Sequence, residues 1–165
     1  MRLSARLLMS HPSCEVNDAL VDIVMGIGLL YQIRDDYINL ASTNFHDKKG
    51  FAEDLSEGKF SFPIIHSLGV NPNTGLLGKF HSGFRDNNLT VSCNALPDII
   101  RQKPEDVEIK KRAIEMIRST GSLEYTRDCL RKREADLRQA IDAVGGSPGL
   151  EKFVSQLSVD NNVVE

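Results

Sequence analysis

Residues 19–39 read ALVDIVMGIGLLYQIRDDYIN, an apolar run that closes on a glutamine, two adjacent carboxylates and an asparagine. Val16, Leu20, Ile23, Val24, Ile27, Leu30 and Tyr31 recur at helical spacing. They predict a long, mostly buried α-helix with Glu15, Asp18 and Asp22 on an exposed face. Within it Gln32, Asp35, Asp36 and Asn39 stand at i, i+3, i+4 and i+7, which places them in one stripe. Traced back by helical steps, that stripe passes Gly28 and then Val24 and Met25, so it is polar at one end and small or apolar deeper in. Either the helix emerges into water there or a cation sits against it. Tyr31, Ile33, Tyr37, Ile38 and Leu40 keep the surroundings apolar, and two adjacent ionised acids in such a place repel each other and lose hydration. A divalent cation offsets both effects. Hard oxygen donors beside a carboxamide suit Mg²⁺, which keeps several waters and shares its other positions with phosphate oxygens.

Downstream, Ser42–Phe62 is polar and reads as a loop carrying Gly50, Gly58, Lys48, Lys49 and Lys59. Lys49 and Lys59 flank the acidic segment GFAEDLSEG and supply two point charges able to close over a phosphate-bearing ligand. Pro63 fits the first turn of a helix PIIHSLG. From Gly69 to Asp98 the pattern is irregular, with LTVSC as a strand-like run. Regular structure is expected again from Pro104, where Val107, Ile109, Ala113, Ile114 and Ile117 fall mostly along one side, with acids early and bases late as the helix dipole favours. Gly121 stops that helix. Ser122 is expected to cap the next, which closes at Gly145-Gly146, and Ser147-Pro148 starts LEKFVSQLS before a fraying VDNNVVE. The predicted class is all-α.

Composition limits function. The 165 residues, 41% hydrophobic and 26% charged, suit one domain, and a net charge of −3 with interspersed signs argues against a nucleic-acid face or a polybasic membrane anchor. No run is apolar enough to span a bilayer. Cys14, Cys93 and Cys129 are dispersed, which fits reduced thiols in the cytoplasm, and with His11, His46, His66 and His81 they make no zinc-ligand spacing. The opening MRLSARLLMSHPSC, with Arg2 and Arg6, reads either as a mitochondrial targeting helix or as the end of a helix that begins before this chain.

The combination YQIRDDYINL followed by KGFAEDLSEGKFSFPIIHSL resembles the second aspartate-rich region of trans-isoprenyl diphosphate synthases, most nearly the geranylgeranyl diphosphate synthases. DVEIKKRAIEMIRSTGSLEYTRDCL and IDAVGGSPGLEKFVSQLS resemble the same subfamily. The resemblance spans nearly the whole of residues 1–165 but corresponds to the C-terminal half of a complete synthase. It implies an isoprenoid-synthase-type helical bundle, usually a homo-oligomer, that joins isopentenyl diphosphate to an allylic diphosphate such as farnesyl diphosphate. In that chemistry Mg²⁺ and basic residues draw off the allylic diphosphate, the isopentenyl double bond attacks the carbocation, and proton loss completes elongation. Carried over by position, Asp35 matches a Mg²⁺ ligand and Asp36 the second acid, direct or through water. Asn39 stands where many relatives have a third aspartate and acts as a ligand or through water. Gln32 matches the glutamine beside the substrates, and Tyr31 replaces a phenylalanine there. Lys49 and Lys59 match the lysines that hold the allylic diphosphate. No Asp-Asp-x-x-Asp motif occurs in the sequence, and residues 79–97, KFHSGFRDNNLTVSCNALP, look inserted relative to the subfamily. Two readings follow: a Mg²⁺-dependent prenyltransferase represented by its C-terminal part, or a non-catalytic helical subunit or regulatory remnant that binds diphosphate or a synthase partner.

Overall fold

The computed structural model describes residues 18–41, 50–70 and 96–161, and the regular elements among them are all helical. They are α1 (Asp18–Ala41), α2 (Glu53–Glu57), α3 (Phe62–Val70), α4 (Leu96–Arg101), α5 (Val107–Ser119), α6 (Ser122–Ala143) and α7 (Pro148–Gln156), then a 3₁₀ turn at Val159–Asn161. The expected all-α class holds. No helix among the described residues is long and apolar enough to cross a membrane. Lys49, the opening segment, the LTVSC run and residues 79–95 of the apparent insertion lie outside the described residues.

Two compact units form, divided between Asp35 and Asp36 in α1 and between Thr126 and Arg127 in α6. The first joins the N-terminal part of α1 to the C-terminal part of α6 and to α7. Val21, Ile23, Ile27, Leu30 and Ile33 of α1, Leu130, Leu137 and Ile141 of α6, and Val154, Leu157 and Val159 make its buried residues. Gly26 permits a close approach, because a Cβ there would stand 2.7 Å from Leu137 Cδ2. Gly145 and Gly146 end α6 with φ of 101° and 76°, and the Gly146 N–H donates to Ile141 C=O at 3.0 Å, which satisfies a terminal carbonyl. Ser147 caps α7 as expected, its Oγ accepting from Leu150 N–H. The last segment does not fray entirely: Val159 is buried and Arg131 Nη2 meets Asp160 Oδ1 at 2.7 Å.

The second unit, residues 36–126, packs α3 and α4 against α5. Its core comprises Tyr37, Leu40, Phe51, Leu55, Ile64, Leu68, Leu96, Ile99, Ile100, Ala113, Ile114, Ile117 and Leu123. Five expectations need correction here, the first being that the stretch Ser42–Phe62 read as a loop contains helix α2, Glu53–Glu57. Helix α4 begins inside the stretch read as irregular, and Leu96 and Pro97 of the apparent insertion belong to it. Helix α5 starts at Val107 rather than Pro104, because Asp106 is the cap whose side chain accepts from Glu108 N–H and Ile109 N–H. Ile109 is 42% exposed, and the inward register is instead Lys110, Ala113, Ile114 and Ile117. Lys110 is buried because its Nζ donates to Phe51 C=O at 3.0 Å while its stem fills the apolar face. Finally, Ser122 does not cap α6. It is fully buried, with its hydroxyl 2.9 Å from His66 Nδ1 and 2.6 Å from Thr120 Oγ1.

Candidate functional site

The polar stripe of α1 does not face one environment. Tyr31, Gln32 and Asp35 are exposed, whereas Asp36 is buried and Asn39 half-buried. The cause is the segment that follows. Ala52 takes a left-handed conformation (φ 47°) immediately before α2, and Gly58 takes another (φ 71°) immediately after it. Between these two turns α2 presents its first-turn N–H of Asp54 to Asn39 Oδ1 at 3.1 Å. The Lys59 N–H then closes back on Asp54 C=O at 2.8 Å, which sends the Lys59 stem toward α1.

Asp36 receives both ends of this segment. Its Oδ1 lies 2.8 Å from Lys59 Nζ, and its Oδ2 accepts from Phe62 N–H at 2.9 Å, at the first turn of α3. An anionic side chain at that position satisfies an N–H that has no partner within the helix and complements the positive end of its dipole. Asp54 Oδ1 reaches the same ammonium at 3.2 Å. The two carboxylates are nearly enclosed, at 9% and 8% side-chain exposure, while the lysine side chain keeps 36%.

Burial sets the electrostatics of this trio. The Lys59 ammonium is pushed up to about 12, chiefly by its hydrogen bond to Asp36 and against the effect of partial burial. Asp54 is raised above the ordinary carboxylate value, with desolvation the largest cause and Lys59 opposing it. The Ser61 hydroxyl lies close enough to favour the Asp54 carboxylate, yet neither Ser61 Oγ nor Asp54 Oδ2 completes a hydrogen bond. An ammonium has three N–H donors, and Asp36 and Asp54 take two. Among the described residues no third acceptor meets this ammonium.

Of the residues singled out in the sequence, the structure brings together Asp36, Asn39 and Lys59, and it adds Asp54 as the link between them. Asp36 and Asn39 use their side-chain oxygens on the α2–α3 segment. Asp35 stands one residue before Asp36 in the same helix, exposed. Among the described residues no three His, Cys, Asp or Glu side chains converge on one metal position. A divalent ion on Asp35 would therefore complete its shell with water and ligand oxygens, a donor set that Mg²⁺ accepts. Asp54 carried no distinguishing mark in the sequence, since Glu53 and Glu57 are equally acidic neighbours of Lys59.

Among the described residues the site is a lysine ammonium held by two enclosed carboxylates, with the exposed Asp35 one residue before Asp36 on α1. The family model for polyprenyl synthetase matches residues 1–117, and the chain belongs to that family. It is 41% identical over 161 residues to a geranylgeranyl pyrophosphate synthase of Mucor circinelloides f. lusitanicus, an alignment covering 97% of this chain and 46% of that protein. The similarity to a geranylgeranyl pyrophosphate synthase of Clitopilus passeckerianus is 40% over 164 residues, covering 96% and 41%. To that of Dictyostelium discoideum it is 39% over 156 residues, covering 94% and 45%. The chain thus spans under half the length of these relatives.

Proposed function

We propose that the chain is the diphosphate-holding part of a geranylgeranyl diphosphate synthase-like prenyltransferase, which condenses isopentenyl diphosphate with an allylic diphosphate, farnesyl diphosphate foremost. The carrying observation is the Lys59 ammonium, fixed by two enclosed carboxylates and meeting no third acceptor among the described residues. In this reading Asp35 holds Mg²⁺ directly, while Asp36 and Asn39 act through the brace or through a bound water. Lys49 and Lys59 are the catalytic cations, and Tyr31 and Gln32, exposed on α1, contact the substrates. By family resemblance the complete protein is a homo-oligomer, and the dispersed cysteines support a cytoplasmic location.

Mg²⁺, when bound, supplies charge to the departing diphosphate. Lys59 adds a positive charge that is already oriented and does not have to reorganise as negative charge accumulates on the leaving oxygens. Asp35→Ala should abolish Mg²⁺-dependent pyrophosphate binding by the 165-residue chain in isothermal titration, while leaving its helical circular dichroism intact. Equal binding by mutant and wild type would refute the assignment.

A further inference from the structure

We propose that Asp54 is a positioning residue for diphosphate recognition, acting through Lys59 by holding its ammonium in place together with Asp36. This rests on the diphosphate reading above. Nothing in the sequence sets Asp54 apart from the other acids of the segment, but the structure ties it down at three points. Its N–H is held by Asn39 Oδ1 at 3.1 Å, its C=O accepts Lys59 N–H at 2.8 Å, and its Oδ1 meets Lys59 Nζ at 3.2 Å.

Stability alone does not account for this arrangement. Asp54 is 5% exposed, and among the described residues its Oδ2 is enclosed with only the neighbouring Ser61 hydroxyl to support it and no well-formed hydrogen bond. Burying a carboxylate oxygen unpaired is costly, and an apolar residue of similar size would serve a purely structural position better. The left-handed backbone at Ala52, a residue with a Cβ and no exposure, points the same way, because such conformations persist where the surroundings enforce them. What the fold obtains is a fixed lysine. The stem of Lys59 is partly exposed and intrinsically flexible, and one carboxylate would define only one direction of its ammonium. Two carboxylates at 2.8 Å and 3.2 Å define two directions, and tetrahedral geometry then sets the third N–H. The trio carries a net charge of −1 with both acids ionised, so an approaching diphosphate is not attracted by this lysine alone.

The test uses the 165-residue chain, with pyrophosphate and Mg²⁺ as the probe in isothermal titration. Asp54→Ala should weaken pyrophosphate binding about fivefold, the scale of one lost oriented hydrogen bond. Asp54→Asn, which keeps the shape and an acceptor oxygen, should restore the affinity to within about twofold. In a Lys59→Ala background Asp54→Ala should add almost nothing, since a residue acting through Lys59 has nothing left to act on. Wild-type affinity in Asp54→Ala, or additive losses in the double mutant, would overturn the inference while leaving Lys59 as a diphosphate contact. No pyrophosphate binding by wild type, or no effect of Lys59→Ala, would bring down the underlying reading and this inference with it.

Discussion

Lys59 shows how one side chain's worth depends on its neighbours. As a loop lysine it would be a solvated charge contributing little. Braced by Asp36 and Asp54, it offers a preset N–H, and a charge-assisted contact of that kind is worth roughly 1.5 to 3 kcal/mol. Lys59→Ala should therefore weaken pyrophosphate binding about tenfold or more, measured by titration with the fold checked by circular dichroism. His66 supports a prediction of a different kind. Its ring stacks on Tyr125 with centroids 3.8 Å apart, its Nδ1 is 2.9 Å from Ser122 Oγ, and burial pushes its pKa below the ordinary histidine value of 6.5. A histidine depressed in the folded state stabilises fully above its unfolded value and loses that contribution as pH falls through the folded one. Tm should drop between pH 7.5 and pH 5.5 in wild type, and His66→Gln should flatten that slope, because glutamine does not titrate. An unchanged slope in the variant would assign the acid sensitivity elsewhere. Asp54 has the opposite sign. Its raised pKa means that ionisation opposes folding, so its contribution is most favourable below 3.8 and is lost as pH rises through the folded value. Asp54→Asn should accordingly raise Tm at pH 7, with the difference from wild type closing toward pH 3.5 in a calorimetric series.

Helix α2 has only five residues and does the work of a clamp because of how it ends. Gly58 takes φ 71°, and a Cβ there would stand 3.2 Å from Lys103 Cγ and Cε and 3.3 Å from Ile100 C=O. Gly58→Ala meets both a conformational penalty and a crowded neighbour that includes backbone. We expect a loss of about 1 to 2 kcal/mol, read from the urea midpoint, with weaker pyrophosphate binding because Lys59 follows directly in the chain. A variant as stable as wild type would show that Lys103 yields without cost. The same element explains what could be read beforehand and what could not. The spacing of Gln32, Asp35, Asp36 and Asn39 was legible because helical periodicity is local. The division of that stripe into exposed Asp35 and enclosed Asp36 was not. It depends on Lys59 and Phe62, which return to the helix 23 and 26 residues later. Helix α4 was hidden for another reason: LPDIIR is six residues long, too short for a 3.6-residue period to declare itself after a turn-rich run.

At the scale of the molecule, the prediction concerns turnover. On the proposed function, ionising an allylic C–O bond requires stabilisation of the leaving diphosphate in the transition state. The sequence carries one acidic stripe and its lysines, and the chain spans under half the length of its relatives. The 165-residue chain incubated with Mg²⁺, isopentenyl diphosphate and farnesyl diphosphate should therefore give no elongated product by chromatography. Product should form once a polypeptide carrying the remaining part of such a synthase is added. Robust turnover by the chain alone would show that one acidic stripe suffices.

The sequence by itself determined the helical class, the glycine and serine boundaries of α6 and α7, and the stripe on α1, because each follows from nearest-neighbour sterics, capping chemistry and a period of 3.6 residues. Tertiary structure alone decided the roles within the stripe. Whether a carboxylate is solvated, like Asp35, or enclosed and paired, like Asp36 and Asp54, depends on which distant backbone N–H and ammonium come to lie against it. It likewise decided that Lys110 and not Ile109 turns inward, since a buried carbonyl of Phe51 needed a donor and the ammonium could reach it.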